Sequence, residues 1–252
     1  MGICALPQVK LLPPEGEEVT TRSRKMLLHI PEVLSRESLA QARQITANAA
    51  WTDGRITAGT QSEKTKNNLQ IAADAPASLE AGKIVLDGLS RNALFFTAAL
   101  PKHIFPPQFN CYRGATNVFG NHVDNAVRTD RATGKHIRTD LSATLFLSDP
   151  SEYDGGELII EDNFGTQAIK LPAGDLILYP ATSVHRVEPV TRGARVASFF
   201  WIESMVREDT HRQLLFNLDM SILGLRGSIG DTPEVVRLTG CYHNLLRLWA
   251  QV

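Results

Sequence analysis

The sequence predicts an α+β fold: a jelly-roll core, that is, a double-stranded β-helix, flanked by N-terminal and C-terminal helices. Three observations predict it. Apolar residues recur at helical spacing between Ser35 and Leu100, the texture changes after Pro106-Pro107 to eight short apolar segments, and helical spacing returns beyond Trp201. With 252 residues, 43% apolar and 21% charged, the chain has an ordinary globular composition and length enough for a substantial core.

Residues 1–25 are polar and rich in proline, and are expected to form a flexible extension. They lack the basic start and long apolar run of a secretory signal, and Leu6 stands where a myristoylation signal needs Ser or Thr. Residues 26–104 form an N-terminal helical part. Its first helix opens at Ser35, a good N-cap, with Leu39, Ala42, Ile45 and Ala49 on one face and Glu37 at the positive helix start. A second helical stretch spans Pro76 to Leu100, with Gly82 and Gly88 as its weak points.

Residues 105–203 carry the jelly roll. The segments "QFNCYR", "FGNHVDNAV", "DLSATLFLSD", "GELIIED", "TQAIKL", "DLILYP", "SVHRVEPV" and "RVASFFWIES" are strand-like. Between them "YDGGE", "DNFG", "LPAGD" and "TRGA" supply the Gly, Asn, Asp and Pro that tight turns require. Eight such strands suit two packed sheets. Residues 204–252 form a C-terminal helical part, whose last helix opens at Thr232-Pro233 and has apolar surface enough for a homo-oligomer interface. Both C-terminal helices are expected to pack on the barrel.

A formal charge of -1 and a pI of about 6.7 leave no basic footprint for nucleic acid. No apolar run reaches the roughly 18 to 20 residues of a membrane span. Cys4, Cys111 and Cys241 are odd in number and widely spaced, with no C-x-x-C pair. A reducing, cytoplasmic location is the expectation.

Within "FGNHVDNAV", His122 and Asp124 are two apart, so on a strand both side chains point to one face. The pair alone describes a hydrogen-bonded surface couple as well as half a metal site. His185, in "YPATSVHRVEPV", is the third candidate ligand; alone it could equally be a satisfied core histidine. Two histidines and a carboxylate suit non-haem Fe(II) oxygenases, although zinc hydrolases use related ligands. Arg195 starts the apolar strand "RVASFFW", where a guanidinium is costly unless an anion meets it. The distal carboxylate of 2-oxoglutarate would serve; a salt-bridged or snorkelling arginine is the plainer account. Arg192 falls in the predicted turn and should reach solvent, and Arg186 should face away from His185. His29, His103, His136, His211 and His243 receive no metal role. The basic loop of residues 128–138 is either a lid over an acidic substrate or a solvated charged loop.

The stretches "WTDGRITAG", "KNN", "NALFFTAALP", "FGNHVDNAVR", "RTDLSATLFLSDPSEYDGGEL", "LPAGDLILYPATSVHRVEPVTRGARVASFFWIES" and "YHNLLRLWA" together resemble the PKHD-type hydroxylases, in the prolyl-4-hydroxylase-like branch of the Fe(II)- and 2-oxoglutarate-dependent dioxygenases. The resemblance covers the chain from Met26 onward. It implies an oxidoreductase that couples 2-oxoglutarate decarboxylation to succinate with C–H hydroxylation. By the same resemblance His122, Asp124 and His185 would be iron ligands, Arg195 the 2-oxoglutarate anchor and Tyr112 a cosubstrate contact. Tyr112 is otherwise a packing residue with a bonded hydroxyl. The implied partners are Fe(II), 2-oxoglutarate, O2, L-ascorbate as a further candidate cofactor, and a small-molecule or peptide substrate that the sequence does not identify. A cupin-like metal sensor or a 2-oxoglutarate-independent dioxygenase is the alternative; cupins favour His-x-His where Asp124 stands here and give Arg195 no purpose.

Overall fold

In the structure, a computed structural model describing residues 26–57, 64–162 and 165–252, strand β1 (Leu28–Ile30) precedes helix α1 (Arg36–Ala47). Ser35 caps α1 as its sequence predicts, its Oγ accepting the Ser38 N–H at 3.1 Å. Strands β2 (Trp51–Asp53), β3 (Lys66–Asn67) and β4 (Leu69–Ile71) lead to helices α2 (Pro76–Arg91) and α3 (Ala93–Ala99). Here the expectation of one stretch from Pro76 to Leu100 is corrected. The break falls at Asn92, whose side chain leaves the helix to accept the Phe95 N–H at 2.8 Å. Neither suspected glycine interrupts α2. Gly88 is there for close approach, since a Cβ on it would stand 2.6 Å from the Val33 carbonyl oxygen.

Then follow β5 (Pro101–Ile104), β6 (Gln108–Arg113), β7 (Val118–His122), β8 (Val127–Thr129), β9 (His136–Arg138), β10 (Leu141–Phe146), β11 (Tyr153–Gly155), β12 (Leu158–Asp162), β13 (Gly165–Ile169), β14 (Leu176–Pro180), β15 (Val184–Val187) and β16 (Val190–Ser204), before helices α4 (Asp209–Ile229) and α5 (Pro233–Trp249). The expected flexible extension, residues 1–25, lies outside the described residues. No described helix is long and apolar enough to cross a membrane.

The strands form a major sheet in the order β1-β14-β10-β16-β6-β4-β2, with β5 and β11 also pairing β16, and a minor sheet in the order β13-β12-β15-β7-β3. Alternation along each strand decides what lies on either face of the major sheet. On one face Leu141, Ala143, Leu145, Leu176, Leu178, Phe109, Phe200 and Ile202 pack against Ala42 of α1, against Ala81, Val85 and Leu89 of α2, and against Phe95 of α3. On the other, Tyr112, Phe146, Ile177 and Tyr179 meet Leu158, Ile160, Ile169 and Val187 of the minor sheet. That is the double-sheet core the sequence predicts.

Helices α4 and α5 depart from expectation. Phe216 of α4 reaches the main core, but Leu215, Ile222, Val235 and Tyr242 form a separate cluster with Leu100 and Val206. The pair therefore packs chiefly on itself and on the end of α3. The basic segment 128–138 is not a loop but part of a hairpin, with Val127↔Arg138 and Thr129↔His136 in antiparallel register.

A candidate metal centre inside the barrel

His122 and His185 are directly opposed on β7 and β15. Between them and the pair Phe119 and Val187 the register shifts, so β7 spends three residues where β15 spends two. That bulge aims both Phe119 and His122 into the barrel, where strict alternation would separate them. Their rings stack at 3.6 Å between centroids. Asp124 does not share the strand as its spacing suggested; β7 ends at His122 and Asp124 lies in the following loop. Its carboxylate nevertheless returns to the histidines because the buried hydroxyl of Ser142, on β10, donates to its Oδ2 at 2.6 Å.

The outcome is a cluster in which one ligand-type atom from each of His122, Asp124 and His185 lies within 4.8 Å of the others. His185 Nε2 is 3.6 Å from Asp124 Oδ2. Each imidazole donates its Nδ1–H to a main-chain carbonyl two residues earlier, His122 to Gly120 at 2.9 Å and His185 to Ser183 at 3.1 Å. A carbonyl can only accept, so whenever either ring is neutral its lone pair is on Nε2. Burial, then the neighbouring His185, pushes the His122 pKa down and favours its neutral form. Two imidazoles that present Nε2 and a carboxylate are a chemically sound set for a divalent transition metal, and the carbonyl contacts are the kind that orient such ligands.

The cluster opens into a cavity that is partly open to solvent. On the long strand β16, Arg195, Phe199 and Trp201 line it, while Val196 and Ile202 pack into the main core and Phe200 does both. Arg195 is 1% exposed. Its Nε, Nη1 and Nη2 are all buried without a hydrogen-bond partner among the described residues. The rings of Tyr112, its cross-strand neighbour, and Phe146 lie 5.4 and 5.1 Å from its Cζ. Gly156, at φ +69, leaves the room: a Cβ there would sit 3.1 Å from Arg195 Cδ. Burial raises the pKa of Tyr112 and Tyr153, and the Arg195 charge partly offsets this in both.

Both rival arginines lie outside the cavity as expected, but the predicted turn "TRGA" is corrected: β16 already begins at Val190, so Arg192 reaches solvent from a strand. Arg192 pairs with Asp154 at 2.6 Å and is 58% exposed, and Arg186 is held by Glu188 at 2.7 Å and by Glu161. Ser142 and Lys66 were not singled out by the sequence reading, and Arg128 entered it only as the first residue of the basic segment 128–138. Ser142 was legible only as a polar residue alternating with apolar ones in "LSATLF". Lys66 and Arg128 carried no signal beyond their charge. Arg128 Cζ lies 3.7 Å over the Trp201 ring and 5.5 Å from Phe105. Burial pushes the Lys66 pKa down to about 8, with Arg128 adding to the effect. Outside the cluster, His29 bonds to Asp175 at 2.7 Å and His211 stacks on Trp249.

Residues 107–203 match the family described as the 2OG-Fe(II) oxygenase superfamily, and residues 209–251 match the PKHD-type hydroxylase C-terminal domain. A PKHD-type hydroxylase of Saccharophagus degradans is 58% identical over 226 residues, covering 90% of this chain and 100% of that protein. One from Phenylobacterium zucineum is 57% identical over 228 residues, with the same coverage. Among solved structures, a Trichoplax adhaerens prolyl hydroxylase in complex with a hypoxia inducible factor peptide fragment is similar in fold. Its TM-score is 0.54 at 16% identity, over 75% of this chain and 87% of that one. The carbocyclase SnoK from nogalamycin biosynthesis reaches 0.51 at 15% identity, over 71% and 80%.

Proposed function

Because the chain belongs to the PKHD-type hydroxylases, enzymes of the 2OG-Fe(II) oxygenase superfamily, we propose that His122, Asp124 and His185 hold its ferrous ion and that Arg195 receives the distal carboxylate of 2-oxoglutarate. One observation carries this reading. The only metal-ligand cluster of His, Cys, Asp and Glu found among the described residues opens onto the same cavity as a fully buried guanidinium without a protein partner. An arginine buried in that state implies a fixed anion, and a planar fork matches a carboxylate through two parallel hydrogen bonds. When bound, iron and 2-oxoglutarate supply the oxidising power, O2 being consumed as 2-oxoglutarate is decarboxylated to succinate and a substrate C–H bond is hydroxylated.

What the chain contributes is position and exclusion. The Gly120 and Ser183 carbonyls hold each imidazole in the tautomer that presents Nε2. Ser142 turns Asp124, which its loop alone would leave adaptable, toward the two histidines. Phe119 and Tyr179 wall the histidines, Phe119 stacked on His122 and Tyr179 edge-on to His185 at 5.3 Å. Tyr112 lines the cavity beside Arg195 and forms part of the cosubstrate pocket. Residues 105–203 act as the catalytic unit, bordered by the helical parts 26–104 and 204–252. The free thiols of Cys111 and Cys241 agree with a cytoplasmic site of action.

Anaerobic titration of the Fe(II)-loaded protein with 2-oxoglutarate, followed by the visible metal-to-ligand charge-transfer band, tests the reading. The unaltered protein develops the band. His185→Ala and Asp124→Ala do not, and Arg195→Ala needs about 100-fold more cosubstrate or worse, the usual effect of removing one partner of a buried charge pair. A band that forms equally well in Arg195→Ala removes the anchor from that residue.

A further inference from the structure

Resting on the cofactor assignment above, a second feature of the cavity speaks to the substrate. Its lining holds three cations, Lys66, Arg128 and Arg195, against one acid, Asp124. A ferrous ion and the two carboxylates of 2-oxoglutarate neutralise each other, so binding both leaves the cationic excess in place. Arg195 is assigned to the cosubstrate. Arg128 stands elsewhere, over Trp201, which lies six residues beyond Arg195 on the same face of β16. At about 3.3 Å per residue the two strand positions are about 20 Å apart, so the two arginines enter the cavity from separate places.

Arg128 is held by stacking alone. Trp201 and Phe105 face its guanidinium, and among the described residues it makes no ion pair or hydrogen bond. Stacking on a face leaves the in-plane N–H fork available, the geometry that binds a carboxylate bidentately. Lys66 lines the same cavity from β3, its Nζ 5.4 Å from the Phe119 ring. Burial disfavours the charge of both cations, and each lies within reach of the Asp124 charge. An anion between them would relieve two desolvated like charges at once.

We propose that Arg128, with Lys66 across the cavity, forms a second anion subsite that seats the carboxylate of a small-molecule substrate, holding it by the end remote from the carbon to be hydroxylated. The aromatic walls of Phe199 and Trp201 suit an apolar body behind the acid. Arg128 is thus a specificity residue that reads charge, whereas Arg195 reads the cosubstrate.

The test uses the anaerobic protein loaded with Fe(II) and saturating 2-oxoglutarate, with phenylacetate and its uncharged amide as matched probes. Binding is read by calorimetry and by the emission of Trp201, with Trp201→Phe identifying that signal. Phenylacetate binds and phenylacetamide does not. Arg128→Gln weakens phenylacetate by about 10- to 100-fold, the worth of a hydrogen-bonded charge, while the surface variant Arg192→Gln matches the unaltered protein. Equal binding of acid and amide, or equal affinity in Arg128→Gln, overturns the subsite while the charge-transfer band still supports the cofactor assignment. A band whose 2-oxoglutarate dependence moves with Arg128→Gln as it does with Arg195→Ala also overturns it, by giving Arg128 to the cosubstrate. Acidic peptides that bind through Arg128 where phenylacetate fails overturn the small-molecule assignment. Absence of the band in the unaltered protein overturns both readings.

Discussion

Replacing Arg195 by Met should make the protein more stable without cosubstrate and nearly unresponsive to it. Arg195 is 1% exposed, and its three guanidinium nitrogens lack hydrogen-bond partners among the described residues. The stem packs beside Tyr112, Phe146 and the bare Gly156 backbone, contacts a methionine keeps. Exchanging a buried charge for an apolar residue of similar volume is worth about 1–4 kcal/mol. At a middle value of about 2 kcal/mol, a chain of this length gains about 4–8 °C in Tm. With 2-oxoglutarate at about 100 times its Kd the unaltered protein gains about 2.7 kcal/mol and the variant, binding about 100-fold more weakly or worse, at most about 0.4 kcal/mol, so the two exchange rank. Thermal denaturation of the anaerobic Fe(II) forms, with and without 2-oxoglutarate, measures all four states. The reasoning is refuted if Arg195→Met melts several degrees below the unaltered protein without cosubstrate, or if 2-oxoglutarate raises both by the same amount.

Three further expectations follow from other contacts. Ser142→Ala removes the 2.6 Å bond to Asp124 and should weaken metal binding about 10- to 100-fold in chelator competition, the usual effect of losing a ligand's supporting partner; an unchanged affinity means the loop alone positions Asp124. Lys66, whose pKa falls from 10.5 to about 8 in the fold, destabilises the metal-free protein while charged in both states. As pH rises from about 8 to 10.5 the unfolded chain holds the proton that the fold has lost, so stability should climb by up to about 3 kcal/mol. Denaturant unfolding of metal-free protein should show that rise, and Lys66→Met should flatten it; parallel curves contradict the depressed pKa. Asn92→Ala should cost about 1 kcal/mol in the same assay through loss of the α3 cap, and a neutral result would mean tertiary packing alone sets the break.

The parts legible in sequence were those governed by local rules. Ser35 and Thr232 cap the helices they precede because a side-chain oxygen there answers an orphan N–H. The jelly-roll strands follow from alternation and turn residues, and parity correctly turned Arg186 away from His185, whereas Arg192 was expected in a turn and lies on β16, because the pairing with β11 extends that strand back to Val190. Asn92 was missed because asparagine is unremarkable in a helical run until its side chain is seen to accept the Phe95 N–H. Asp124 was placed on a strand because period-two reasoning assumes the strand continues; its end at His122 and the β7 bulge are properties of the pairing with β15. Ser142 and Arg128 depend on contacts across 18 and 73 residues, with Asp124 and Trp201 respectively, and no local pattern encodes such pairs.

Strand β16 shows why the fold and the cosubstrate pocket stand or fall together. Its residues Val196 and Ile202 belong to the main core, Arg195, Phe199 and Trp201 belong to the cavity, and Phe200 belongs to both. Side chains alternate with a period of two, so a slip of one residue against β6 or β10 would put Arg195 among Ala42, Val85 and Leu89, where no anion could reach it. A guanidinium in that apolar layer costs several kcal/mol, and exposing Ile202 to the polar cavity loses about 1.5–3 kcal/mol of burial. The buried arginine is therefore also a register device. Arg195→Met, which lifts the charge penalty from the slipped pairing, should leave β16 less uniquely paired even as it raises Tm. Faster amide hydrogen exchange across β16 and β6 in that variant would show this; unchanged protection would mean that the aromatic residues alone hold the register.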